Sequence, residues 1–151
     1  MPISLVTVRV LQCIGFSTAP ADALYLPVDP AADAPNVEAE EADPESLLNR
    51  TRRLIALRHA EPALANYAEF VPLFAEPNTY PFVYARAAGK DVVLVMFNPR
   101  AEAAEATFPV DVNFRRTQLL AGDKFPIRHD AKARTVTISM PGTSYAIVKL
   151  K

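Results

Sequence analysis

The sequence predicts a mainly β protein: an antiparallel, Greek-key-like β-sandwich of seven to eight strands, preceded by one amphipathic helix and a long N-terminal loop. Three observations carry this. From Glu69 onward, short apolar or alternating runs are separated by turn residues at regular intervals. One stretch, Asp43–Ala65, repeats its apolar residues at helical spacing. Fourteen prolines against four glycines point to many stiff turns, and a 50% hydrophobic content is that of a globular chain.

The helix is expected over Pro44–His59. Asp43 can accept from the first free amides, and Pro44 suits the first helical position. Glu45 opens the helix and Arg58 and His59 close it, each sign matching the dipole. Leu47, Leu48, Thr51, Leu54 and Ile55 form one stripe, and Pro62 ends the element. Strands follow at Glu69–Ala75 and Tyr80–Ala87, with Tyr80, Phe82 and Tyr84 on one face and Val83 on the other. Ala88-Gly89-Lys90-Asp91 is a hairpin turn. Val92–Phe97 is apolar throughout, as a strand covered on both faces would be. Weaker strands are expected at Ala103–Phe108, Arg115–Leu120 and between Phe125 and Ile127. Thr135–Met140 alternates with Val136, Ile138 and Met140 inward, and Ser144–Leu150 closes the sheet. The organisation is therefore 1–43, an N-terminal strand (Ile3–Cys13) with an extended loop, and 44–151, helix plus sandwich.

A net charge of −1 with scattered basic residues argues against a nucleic-acid partner. The apolar N-terminus is too short to span a bilayer and is interrupted by Arg9, so no membrane partner is expected. Cys13 is the only cysteine. One thiol makes no intrachain disulfide and no cysteine-based zinc site, and it allows a reducing, cytoplasmic setting.

The motif order has a family likeness. Asp43-Pro44-Glu45-Ser46-Leu47-Leu48-Asn49, then Arg52-Arg53-Leu54-Ile55-Ala56-Leu57-Arg58 and Pro62-Ala63-Leu64, resembles the last barrel helix of the alpha-amylase family of glycoside hydrolases. The alpha-glucosidase and trehalose-synthase-like members are nearest in character. The likeness runs back through Gly15-Phe16-Ser17-Thr18, Leu24–Val28 and Asn36–Ala39, and forward through Tyr80–Tyr84 to Ser144–Ile147. It implies a helix that closes a (β/α) barrel and hands the chain to a C-terminal β-sandwich. Such a barrel needs about 250 residues, more than 151 can hold. The likeness fails before Gly15: relatives would show Gln-Trp-Asp and Asn-Ala-Gly-Phe segments, where this chain has Cys13-Ile14-Gly15-Phe16 and no tryptophan. A truncated gene is the expectation.

The resemblance places the nucleophile, the acid and the third aspartate of the family on barrel strands upstream of the matching region. No catalytic residue is carried over, and no cofactor is expected. Phe16 and Tyr25 are candidate substrate-binding remnants of a sugar-site rim; read as residues, they are two aromatics pinning a long loop. Glu38, Glu40, Glu41, Asp43 and Glu45 read as a solvated helix approach rather than a metal site, and relatives often carry glutamine at Glu40. Arg50, Arg52, Arg53 and Arg58 read as a solvated face rather than a phosphate site. His59 and His129 lie far apart, and no metal site is expected. No serine has a nucleophile-elbow context and no phosphate loop is present.

The expected function is that of a non-catalytic C-terminal domain of an alpha-amylase-family glycosidase. The alternative is a stand-alone carbohydrate-binding or protein-interaction module, with maltodextrin or another alpha-glucan as partner; a weak hydrolase with a new site ranks below both. Leu47, Leu48, Leu54 and Ile55 are expected to mediate a homodimer, because an apolar stripe without a covering surface tends to find one.

Overall fold

The computed structural model describes residues 19–26, 29, 31 and 33–151, so the strand expected over Ile3–Cys13 and Phe16 lie outside it. The chain divides into two compact units that meet at Ile55/Ala56.

In the first unit, a 3-10 turn at Ala21–Ala23 precedes two helices, α1 (Val37–Ala42) and α2 (Leu47–Ala60), the second running on across the unit boundary. Helix α1 lies where the sequence reads as loop. Asn36 makes it possible, since its side chain accepts from the Ala39 amide and caps a segment of only six residues. Helix α2 starts three residues later than expected. Asp43 does not cap it; its carboxylate accepts from the Glu45 amide and folds Asp43–Ser46 into a turn. The capping is done by Ser46, whose hydroxyl accepts from the Asn49 amide at 3.2 Å, and by Glu40, whose carboxylate accepts from the Leu48 amide at 2.9 Å. The Asn49 side chain donates to the carbonyls of Glu40, Glu41 and Asp43, drawing the turn together.

The second unit is the β-sandwich. Eight strands are described: β1 (Glu69–Phe74), β2 (Phe82–Ala88), β3 (Asp91–Asn98), β4 (Ala104–Pro109), β5 (Thr117–Gly122), β6 (Ile127–Asp130), β7 (Thr135–Met140) and β8 (Ser144–Leu150). They form a five-stranded sheet ordered β1-β2-β3-β8-β5 and a three-stranded sheet ordered β4-β7-β6, with antiparallel neighbours throughout. The chain crosses between sheets after β3, β4, β5 and β7, which gives the Greek-key-like order.

Gly89, at φ 60°, and Lys90 make the tight β2–β3 turn. The register that follows sets Phe82 opposite Phe97 and Tyr84 opposite Val95. The core lies between the sheets: Val83, Leu94, Met96, Ala146 and Val148 from one side, Phe108, Val136, Ile138 and Met140 from the other. Strand β3 is central, and Val93, Leu94, Val95 and Met96 are all buried, as its unbroken apolar run requires. At one end of the sandwich, buried Asn98 donates to the carbonyls of Glu102 and Pro141 and so ties the β3–β4 turn to the β7–β8 turn. A Cβ at Gly142 would collide with the Ala101 carbonyl, so this close approach of two backbones requires glycine.

Two outcomes follow. Amide exchange across Val93–Met96 is slower than in β1 or β6, measured on the folded protein by mass spectrometry or NMR. Leu94→Ala lowers unfolding free energy by about 2–5 kcal/mol, read from denaturant melts, whereas Thr107→Ala on the outer face of β4 changes it by less than about 1 kcal/mol.

Candidate interaction surfaces

Two apolar surfaces and one ion-paired linker stand out. The first surface is the stripe of α2, in which no residue is buried. Leu47 is 74% exposed and Ile55 53%; Leu54 is exposed and Leu48 half-buried. The opposite side of the helix is polar and internally paired. Arg50 and Arg53 reach Glu45, and Arg52 reaches Glu41 at 2.9 Å. Glu41 and Glu45 of the acidic run thus pair with Arg50, Arg52 and Arg53 of the basic cluster, and Glu40 caps the helix. Such exposed pairs each contribute little to stability.

The second surface is the outer face of the five-stranded sheet. Residues that alternate with the core positions bring Phe70, Phe82, Tyr84 and Phe97 together. Ring centroids lie 4.8 Å apart for Phe70–Tyr84, 5.5 Å for Phe82–Tyr84, 6.1 Å for Tyr84–Phe97 and 6.2 Å for Phe82–Phe97. Phe70 remains 51% exposed and Phe97 37%. Beyond the end of β2, the Arg100 guanidinium lies 5.6 Å from the Tyr80 ring centroid.

The linker after α2 covers the middle of this face. Pro62–Leu64 form a 3-10 turn that sets Ala63 against Val93 and Val95, with Leu64, Tyr84, Leu120 and Ile147 packed around them. Polar contacts hold it there. The Lys149 ammonium lies 2.9 and 3.0 Å from the two carboxylate oxygens of Glu61 and 2.7 Å from Asp91. Glu61 is buried and needs this partner. Arg86 donates to the carbonyls of Ala63 and Ala65. The hydrogen bond from Lys149 holds the Asp91 carboxyl below its ordinary range, and the same contact, with that to Glu61, raises the Lys149 ammonium. Burial raises the Tyr84 hydroxyl, with Arg86 opposing it.

Of the other candidates, Tyr25 is 98% exposed, and Phe16 lies outside the described residues. His59 is exposed at the end of α2, while His129 stacks on Phe114 at 4.0 Å, so the two serve different places. Among the described residues, no group of three or more His, Cys, Asp or Glu is placed to hold a metal ion, and no helix is long and apolar enough to cross a membrane. The aromatic face was partly legible in the sequence, because a two-residue turn at Gly89-Lys90 forces Phe82 opposite Phe97. Glu61 and Lys149 were not: they are 88 positions apart, and neither carries a local signal.

No family model matches the chain. A cyclomaltodextrinase of Geobacillus thermopakistaniensis (strain MAS1) is 31% identical over 110 residues, which are 70% of this chain and 18% of that protein. A probable alpha-glucosidase of Rhizobium meliloti (strain 1021) is 34% identical over 112 residues, 74% of this chain and 18% of that protein. In structure, an isomaltulose synthase from Erwinia rhapontici NX5 matches with TM-score 0.62 at 24% identity, over 84% of this chain and 22% of that one. A trehalose-6-phosphate hydrolase from Bacillus licheniformis matches with TM-score 0.62 at 18% identity, over 88% and 23%. These partial matches support a fragment of an alpha-amylase-family glycosidase. The chain corresponds to a part of such an enzyme, since it spans about a fifth of the length of the curated relatives it matches. The structural likenesses are likenesses of fold.

The ion-paired linker has a pH signature. Asp91 titrates lower in the folded chain than its ordinary 3.8, so its contribution is present above that value and is lost as pH falls through the depressed one. Lys149 titrates above its ordinary 10.5, so its contribution is complete below that value and is lost as pH rises through the raised one. The contribution of this contact, read as the difference in thermal melts between wild type and Lys149→Met, is therefore present between these limits and falls on both sides. Lys149→Met alone destabilises more than Lys149→Met with Glu61→Gln, because the single change leaves a buried carboxylate without its cation.

Proposed function

We propose that this chain acts as a non-catalytic β-sandwich domain of an alpha-amylase-family glycosidase, covering and stiffening a catalytic barrel. The observation that supports this is the asymmetry of the matches: most of this chain aligns with 18% of each curated relative's length. Retaining glycosidases hold two carboxylates roughly 5 Å apart across the scissile bond. By the family resemblance, those residues stand on barrel strands upstream of this region. The acidic residues at Glu40, Glu41 and Glu45 are engaged in capping and pairing α2 instead. A single cysteine suits a cytoplasmic setting.

Purified protein is expected to leave maltose, trehalose and an aryl alpha-glucoside unhydrolysed. Turnover that co-purifies with the chain and persists after recloning would end the non-catalytic reading.

A second reading concerns the chain in isolation, and the exposure of Leu47 and Ile55 favours it. Two copies pair their α2 stripes about a two-fold axis. Burial of each such leucine or isoleucine is favourable by up to about 1.5–3 kcal/mol. In sedimentation, the wild type runs as a dimer and Leu54→Lys as a monomer, with the far-UV spectrum of the sandwich retained. A wild type that stays monomeric at high concentration removes the pairing.

A further inference from the structure

We infer that the open side of the sandwich, between β5 and β6, is a binding site for a small neutral ring alcohol of phenol size. The two strands are edges of different sheets, β5 of the five-stranded and β6 of the three-stranded one, so no ladder joins them. A cavity of about 160 Å³ opens between them. Its apolar walls are Leu119 of β5, Phe125 of the β5–β6 connection, Ile127 of β6, and Ala146 and Val148 of β8. Ala146 and Val148 belong to the buried core, whereas Leu119 is 43% exposed and Phe125 and Ile127 are half-buried. Hydrocarbon next to the core therefore faces water here, and covering it is favourable in proportion to its area.

Thr117, Asp123 and Lys124 complete the lining. Asp123 is fixed in place: its amide donates to the Tyr145 carbonyl at 2.7 Å, and one carboxylate oxygen accepts from the Tyr145 amide at 3.2 Å. Gly122, at φ 90°, permits this approach, since a Cβ there would collide with the Tyr145 carbonyl. The other carboxylate oxygen, the Thr117 hydroxyl and the Lys124 ammonium have no partner among the described residues. An apolar wall with a few polar groups beside it is the arrangement that orients a small ligand.

Size and chemistry select the class. A cavity of about 150 Å³ takes one benzene ring, and this one is of that size. A monosaccharide of similar bulk carries hydroxyls around its whole rim, and the five apolar lining side chains can pair with none of them. A carboxylate would meet Asp123 and an amine Lys124, like charge against like. A single neutral hydroxyl suits both, donating to the Asp123 carboxylate and accepting from the Lys124 ammonium. The ring then lies against Leu119, Phe125 and Val148.

The test titrates the full chain, isotope-labelled for NMR, with phenol, toluene and glucose. Phenol is expected to give saturable amide shifts confined to Thr117–Leu119, Asp123–Ile127 and Ala146–Val148. Toluene has the same shape and is the more hydrophobic of the two, yet it is expected to bind more weakly, because it leaves Asp123 and Lys124 without a partner. Thr117→Phe, at an exposed position, fills the cavity and is expected to abolish the phenol shifts; Leu119→Trp replaces it if that variant does not fold. Absence of saturable phenol shifts in the folded wild type overturns the site, as do phenol shifts that persist in a folded, filled variant. Toluene that binds as tightly as phenol overturns the assignment to an alcohol. Saturable glucose shifts at the same amides would reassign the cleft to sugar.

Discussion

The burial of β3 on both faces is the constraint on which the sandwich depends. Its inward residues, Leu94 and Met96, are covered by the three-stranded sheet. Its outward residues, Val93 and Val95, would face water if the sheet were left bare, and the three-stranded sheet cannot reach them. The linker at Pro62–Leu64 supplies the cover, with Ala63 wholly buried against both valines. A small side chain suits that position because it lets the linker backbone approach the sheet closely. The outer face is thus half closed by local chain and half left aromatic.

Covering a sheet with a loop brings polar backbone into an apolar place, and each such group needs a partner. Arg86 meets that need for the carbonyls of Ala63 and Ala65. Glu61 poses the harder problem, as a carboxylate taken almost out of water. Lys149 solves it from the neighbouring strand, and Asp91 sits on the other side of the ammonium. Two carboxylates around one cation leave a net negative charge, so this device is better at fixing a position than at adding stability. It sets where the chain leaves α2 and joins the sheet.

The first unit follows a different logic. Its helices have no buried apolar residue, and side-chain capping and ion pairs organise it. Glu40 and Ser46 satisfy amides at the start of α2, and Asn49 gathers three carbonyls of the preceding turn. The helix is thus held by its caps while its leucines stay exposed. The aromatic face of the sandwich is likewise partly exposed.

The sequence by itself determined the strands and the inner core. Thr135–Met140 alternates so cleanly that period and burial coincide residue by residue, and Gly89-Lys90 sets the register of β2 against β3 without help from the rest of the chain. The sequence also carried the family likeness, through motif order along α2 and the strands that follow. The tertiary structure alone decided three things. It moved the start of α2 from Pro44 to Leu47, because Glu40 and Ser46 outcompeted Asp43 for the free amides. It formed α1 from a six-residue stretch whose cap, Asn36, is too short a signal to distinguish from loop. And it joined Glu61 to Lys149 across 88 positions, since a long-range ion pair leaves no periodicity in a chain and exists only once the strands have brought its partners together.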